Sequence, residues 1–197
     1  VKEICHQAVN TWQNLGVPAD EICPDFSAVE SIFQPLRAQM FLDLAPLLEN
    51  HRQHIKPEVI WNIEKGIALT VADLHQAELK RGELYRSMLN YFDHYDLLIC
   101  PSAILPPFDV SIRYPEALNG IKFENYVSWL NVTAAVTLTS CPSISVPCGF
   151  TKTGLPVGLQ IVGPPRREDK LLAAASVFEN AHKIDQKTPI NPKHQDH

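Results

Sequence analysis

Residues 143–163, SISVPCGFTKTGLPVGLQIVG, hold this chain to one kind of architecture. Two short apolar runs, 143–146 and 157–162, flank a Gly-containing turn at 151–154. The pattern reads as strand, hairpin, strand. A third apolar run, 97–100, is bounded by Asp96 and Pro101 and predicts a central strand buried on both faces. These strands offer little polar surface, so each needs neighbours beside it and layers above and below.

Helical patterns surround them. Ile4, Ala8, Val9, Trp12 and Leu15 recur at helical spacing, and Gly16 follows as a C-terminal cap. Residues 17–23 then predict a short strand closed by Pro24. Ser27 and Glu30 are spaced as a capping box, which starts a helix near Ala28, and Pro35 should kink or stop it. The apolar stretch 36–48 predicts more helix, broken near Pro46, before a polar connector at 51–57. A helical block follows over 58–92, divided at Gly66 and re-capped by Thr70 with Asp73. Leu74, Ala77, Tyr85, Met88 and Phe92 form its expected apolar face. Residues 102–115 are too rich in proline for regular structure, and 123–139 predict one or two short helices. A closing helix spans 168–181, with Leu171, Leu172, Ala175, Phe178 and Ala181 facing inward.

The fold class is therefore α/β, with layered helices around a mixed β-sheet. Residues 1–185 form one body, and 186–197 a polar, frayed tail. The strands are barely enough to cover one another, which fits half of a larger sheet. The chain also enters a helix directly from Val1, as a truncated or processed chain would.

Several function classes drop out. A net charge of −5 leaves no basic stripe for nucleic acid. No apolar run is long enough to span a bilayer, and no signal-peptide pattern is present. The five cysteines are scattered without a CxxC pair, which argues against a zinc site or a disulfide framework and for a reducing cytoplasm. His51, His54 and Glu58 have helical spacing, but Pro57 interrupts them, and a solvated connector is the expectation rather than a metal site. Cys148 follows a strand with no neighbouring base and reads as a core thiol. Ser140, Ser143 and Ser145 crowd the same region, but there is no G-x-S-x-G elbow, no Walker loop and no G-x-G-x-x-G loop. No cofactor is expected. Val127, Trp129, Leu130 and Ala134 lie on the helix before the strand pair, where they can serve as core or as pocket wall.

The hairpin carries a resemblance. Thr137-Leu-Thr-Ser-Cys-Pro142, Ser145-Val-Pro-Cys-Gly149, Gly154-Leu-Pro-Val-Gly-Leu-Gln160 and Leu171-Leu172 resemble the C-terminal pattern of the amidase signature family. Tyr95-Asp-Leu-Leu-Ile-Cys-Pro101 resembles the strand that leads into its Pro-rich loop. The resemblance reaches to about Asp185 and implies the C-terminal half of the amidase signature fold. Family members cleave carboxamides, or release ammonia from them, with a serine nucleophile, a second serine in a cis peptide and a neutral lysine. The Gly/Ser-rich region that holds them has no counterpart in these 197 residues, so no catalytic residue is carried over.

What carries over is part of the pocket: Val127, Trp129, Leu130 and Ala134 before the hairpin, and Ser102 in the Pro-rich loop. Glutamine-using members place an acidic residue seven positions before the Asn of the hallmark. Counted back from Thr137, that position is Leu130, which implies an apolar or aromatic acyl group. Ser140 stands where the family has Gly, so a positive φ there would strain it.

The implied function is the C-terminal portion of an amidase, not competent by itself. The missing half would be supplied in cis or by a partner chain, and a small-molecule amide would be the substrate. Exposed sheet surface would favour self-association, so a homo-oligomer is a further expectation. The alternative is a non-catalytic binding domain derived from an amidase.

Overall fold

A computed structural model describes residues 1–183 of the chain. The tail expected at 186–197 lies outside the described residues. In chain order the elements are α1 (Lys2–Asn14), α2 (Val29–Gln39), α3 (Leu47–Asn50), α4 (Pro57–Ile67), α5 (Val71–Phe92), β1 (Leu98–Pro101), β2 (Ala117–Leu118), β3 (Ile121–Lys122), α6 (Asn131–Leu138), β4 (Ser143–Phe150), β5 (Pro156–Val162) and α7 (Glu168–His182). They fall into two compact units. One comprises Val1–Ile22, Tyr95–Val110 and the described residues from Cys141 onward, and the other Cys23–His94 with Ser111–Ser140.

The first unit is a three-stranded sheet in the order β1-β5-β4, with both pairings antiparallel. Leu98 and Ser143 both register with Val162. The central strand is thus β5, and the sequence-based expectation of a central β1 is corrected: among the described residues β1 pairs on one side only. Cys5, Ala8 and Trp12 of α1 join Leu171, Ala175 and Phe178 of α7 over Val146, Leu159 and Ile161. Each helical trio follows the 3–4 residue repeat that puts one stripe on the sheet.

Two inward assignments on α7 fail. Leu172 is 59% exposed and Ala181 is exposed, because the stripe Leu171–Ala175–Phe178 already fixes which side faces the core. The strand expected at 17–23 does not form either. Pro18 lacks an N–H for a ladder, and Val17 and Ile22 are exposed.

The second unit is built from α2, α4, α5 and α6. Val29, Ile32, Leu84, Ala134, Ala135 and Leu138 form its core. The α5 cap forms as the sequence implies: the Thr70 hydroxyl accepts from the Asp73 N–H at 3.2 Å, and the Asp73 carboxylate accepts from the Thr70 N–H at 2.9 Å. The Thr70 hydroxyl, donating to the Asp73 carboxylate at 2.7 Å, and then the Thr70 N–H hold that carboxyl below its ordinary pKa. On α5 the buried residues are Ala77, Leu84 and Met88, and Tyr85 lies outside the stripe.

The capping box at Ser27 does not form, and α2 starts from Ala28 without a side-chain cap. Pro35 lies inside α2, which continues to Gln39. Gly66 lies inside α4 rather than dividing the block; the break falls just after Ile67. An unanticipated hairpin joins β2 and β3. Its turn residues, Asn119 and Gly120, have φ of 51° and 81°, the paired left-handed values of a type I′ turn.

Ser140, just past α6, has a φ of 57°. A left-handed serine costs about 1–2 kcal/mol that glycine avoids. Arg81 offsets part of it by donating to the Leu138 carbonyl at 3.3 Å and to the Ser140 hydroxyl at 3.2 Å. Ser140→Gly is expected to raise stability by about 0.5–1 kcal/mol, read as a higher urea midpoint at unchanged slope. A lowered midpoint would show that the Arg81 contact outweighs the strain.

Candidate functional site

The segment before α6 is held by one carboxylate. Glu30 of α2 accepts from Asn125 Nδ2 at 3.0 Å and from the Ser128 hydroxyl at 2.9 Å. Asn125 Oδ1 in turn accepts from the Val127 N–H at 2.8 Å, the Ser128 N–H at 3.2 Å and Gln34 Nε2 at 3.1 Å. This explains the missing capping box. The Glu30 side chain is used across the unit and does not fold back on its own helix, while the Ser27 N–H is taken by Asp25 at 2.9 Å.

Four of the five expected pocket residues sit on this segment, and they divide by burial. Val127 and Ala134 are buried at 1% and 3% exposure. Trp129 and Leu130 are half-buried, at the entry to α6. The Leu130 carbonyl accepts from the Thr133 hydroxyl at 2.9 Å, which fixes the first turn. Of the four, Trp129 and Leu130 keep solvent-accessible surface, while Val127 and Ala134 are closed off from it.

Beside them in sequence, Tyr126 centres a cluster that sequence reading missed. Its ring meets Trp61 edge-on at 5.7 Å and Tyr114 at 5.9 Å. Its hydroxyl accepts from Arg37 Nη2 at 3.2 Å and from Asn62 Nδ2. The Arg37 guanidinium also lies over Phe33 and Phe41. The cluster draws on α2, α4 and two loops, so no local spacing announces it.

Ser102, the fifth candidate, belongs to the first unit and is described there by itself. Its N–H continues the β1 ladder to the Gly158 carbonyl at 3.0 Å. Its hydroxyl meets that of Ser145 on β4 at 2.6 Å. Gly158 lies between them: a Cβ there would stand 2.8 Å from one hydroxyl oxygen and 2.9 Å from the other. The pair can donate to and accept from a polar group, but it has no base. Among the described residues no histidine, lysine or carboxylate hydrogen-bonds to either hydroxyl.

The remaining candidates do other work. Cys148 is buried, contacts Cys5 Sγ at 3.9 Å and donates to the Val157 carbonyl at 3.4 Å. That contact first, and burial second, hold its thiol well above the ordinary range, the wrong direction for a nucleophile. Glu58 is ion-paired with Arg113, and among the described residues no group of three His, Cys, Asp or Glu is placed to hold a metal.

Comparison with known proteins places the chain. The family model described as Amidase matches residues 21–172. The chain is 29% identical to an acylamidase of Rhodococcus erythropolis, over 97% of this chain and 41% of that protein. It is 38% identical to a glutamyl-tRNA(Gln) amidotransferase subunit from Myxococcus xanthus, over 64% of this chain and 26% of the relative. The solved structure of a bacterial aryl acylamidase of the amidase signature family superposes with a TM-score of 0.78 at 22% identity, covering 93% of this chain and 40% of that one. A second solved amidase gives a TM-score of 0.80 at 22% identity, covering 91% and 41%. The chain thus spans about two fifths of the length of the acylamidase it matches (41%).

Proposed function

The chain belongs to the amidase family, and on that footing we propose that it is the C-terminal portion of a carboxamide hydrolase. The coverage carries this reading: nearly all of this chain, 97%, aligns with 41% of an acylamidase. In the proposal the chain supplies scaffold and one wall of the substrate pocket. The nucleophile, relay serine and lysine come from an N-terminal half, in cis or as a partner chain. No metal or cofactor takes part.

In the second unit Leu130 and Trp129 form the accessible wall, with Val127 and Ala134 buried; in the first, taken by itself, the Ser102–Ser145 pair offers a polar contact. An apolar wall cannot compensate a substrate ammonium, and an unpaired buried charge costs several kcal/mol. The substrate is therefore a small amide with an apolar or aromatic acyl group. The scattered spacing of the five cysteines, without a CxxC pair, supports a reducing cytoplasm as its setting. Among the described residues no helix is long and apolar enough to cross a membrane. Among the described residues β4 pairs on one side only, and such an open strand edge favours association of the isolated chain with itself.

The purified chain is expected to show no turnover of acyl anilides. Joined to an amidase N-terminal half, it should hydrolyse them, and Leu130→Asp should cut that rate at least about tenfold. Turnover by the chain alone, abolished by Cys148→Ala, would overturn the proposal. Equal use of glutamine and an apolar amide by the joined enzyme would overturn the acyl-group assignment.

A further inference from the structure

We propose that Cys5 and Cys148 form an oxidation site, a buried thiol pair that closes to a disulfide and staples α1 to β4. Their sulfurs lie 3.9 Å apart although the residues are 143 positions apart in sequence. Both side chains are buried, and neither is in a disulfide in the structure described.

The local fold builds this approach. The β4–β5 register shifts between Pro147 and Gly149, so Cys148 is the extra residue of a β-bulge, which re-aims its side chain. The next residue, Gly149, lets α1 close on the strand: a Cβ there would stand 2.5 Å from Ile4 Cγ2. Two adjacent residues of α1 thus meet two adjacent residues of β4. A disulfide needs the sulfurs at about 2 Å, so closure requires the two side chains to turn toward one another over the remaining distance.

The chemistry is thiol–disulfide exchange with a low-molecular-weight disulfide such as oxidised glutathione. The Cys5 thiolate attacks one sulfur of that disulfide, breaks its S–S bond and releases one thiol. The deprotonated Cys148 then attacks the Cys5 sulfur and displaces the second thiol. Two protein thiols are oxidised and one disulfide is reduced to two thiols. Cys5 is the first attacker because it is carried on α1, the element that moves. Burial means the exchange proceeds when α1 lifts from the sheet, more slowly than at the exposed Cys23.

The test is incubation of the whole chain with oxidised glutathione, alkylation in denaturant and tryptic mapping. Cys5 falls in the peptide 3–37 with Cys23, and Cys148 in the peptide 123–152 with Cys141. A link between these peptides is expected, with the loss of two hydrogens in mass. It should persist in the Cys23→Ser/Cys141→Ser double variant and vanish in Cys5→Ser. Closing so long a loop should raise Tm by about 10 °C, reversed by dithiothreitol. Oxidation confined to glutathione adducts on Cys23 and Cys100, with Cys5 and Cys148 recovered alkylated, would overturn the proposal. So would a link that disappears in the double variant.

Discussion

Phe178→Ala is expected to destabilise the unit built on β1, β4 and β5 by about 4 kcal/mol. Phe178 is fully buried, at 0% exposure, on the inner stripe of α7. Its ring stacks on Trp12 of α1 with centroids 5.6 Å apart and planes 23° apart. On its other side it stacks on His182 at 4.9 Å. His182 is itself fixed by Thr11 at 2.9 Å and by the Cys148 carbonyl at 2.9 Å. Truncation therefore leaves a cavity whose walls belong to two helices and a strand and cannot easily collapse. The lost transfer free energy and the cavity term add. A Tm lowered by about 10 °C and a red-shifted Trp12 emission are expected. Leu172→Ala, six residues back on the exposed side of the same helix, should stay within about 0.5 kcal/mol of the parent. Equal losses for the two variants would refute the assigned orientation of α7.

What could be read in the sequence follows the range of the interactions. The strand pair β4–β5, the helix α1, the capping box at Thr70 and the onset of α7 are set by residues within a few positions of one another. Ser27 and Glu30 carry an equally good local signal, yet Asn125 and Ser128 outcompete it from 95 and 98 residues away. The short strand at 17–23 fails for a related reason: a ladder needs a partner, and composition cannot supply one. The β2–β3 hairpin was legible, since Asn119-Gly120 is the strongest short hairpin signal, but it lies within an otherwise irregular stretch. At the site, Leu130 could be counted out from the hallmark. The Tyr126, Arg37 and Asn62 cluster could not, because its members come from separate elements. The positive φ of Ser140 was legible as a conflict between a residue and the conformation expected of it.

Gly66→Ala tests the packing of the second unit, and its sign is the informative quantity. In an exposed helix interior, exchanging Gly for Ala gains about 1 kcal/mol. At Gly66, within α4, the new Cβ would stand 2.5 Å from the carbonyl oxygen of Ala38 and 3.2 Å from Leu42 Cδ2. The carbonyl is backbone and already accepts from the Phe41 N–H at 3.0 Å, so it cannot swing aside without giving up that bond. The helices α2 and α4 must part instead. Overpacking of this kind costs about 3 kcal/mol, which outweighs the propensity gain and leaves a net loss of about 2 kcal/mol. Gly82 of α5 provides the opposite case, because a Cβ there meets nothing nearer than the far end of Arg86 at 3.8 Å. Gly82→Ala should therefore stabilise by about 0.5–1 kcal/mol. Urea midpoints moving in opposite directions for the two variants are the expected result. If both rose together, α4 would not approach the end of α2 as closely as described, and the platform that carries Glu30 and Arg37 would have to be redrawn.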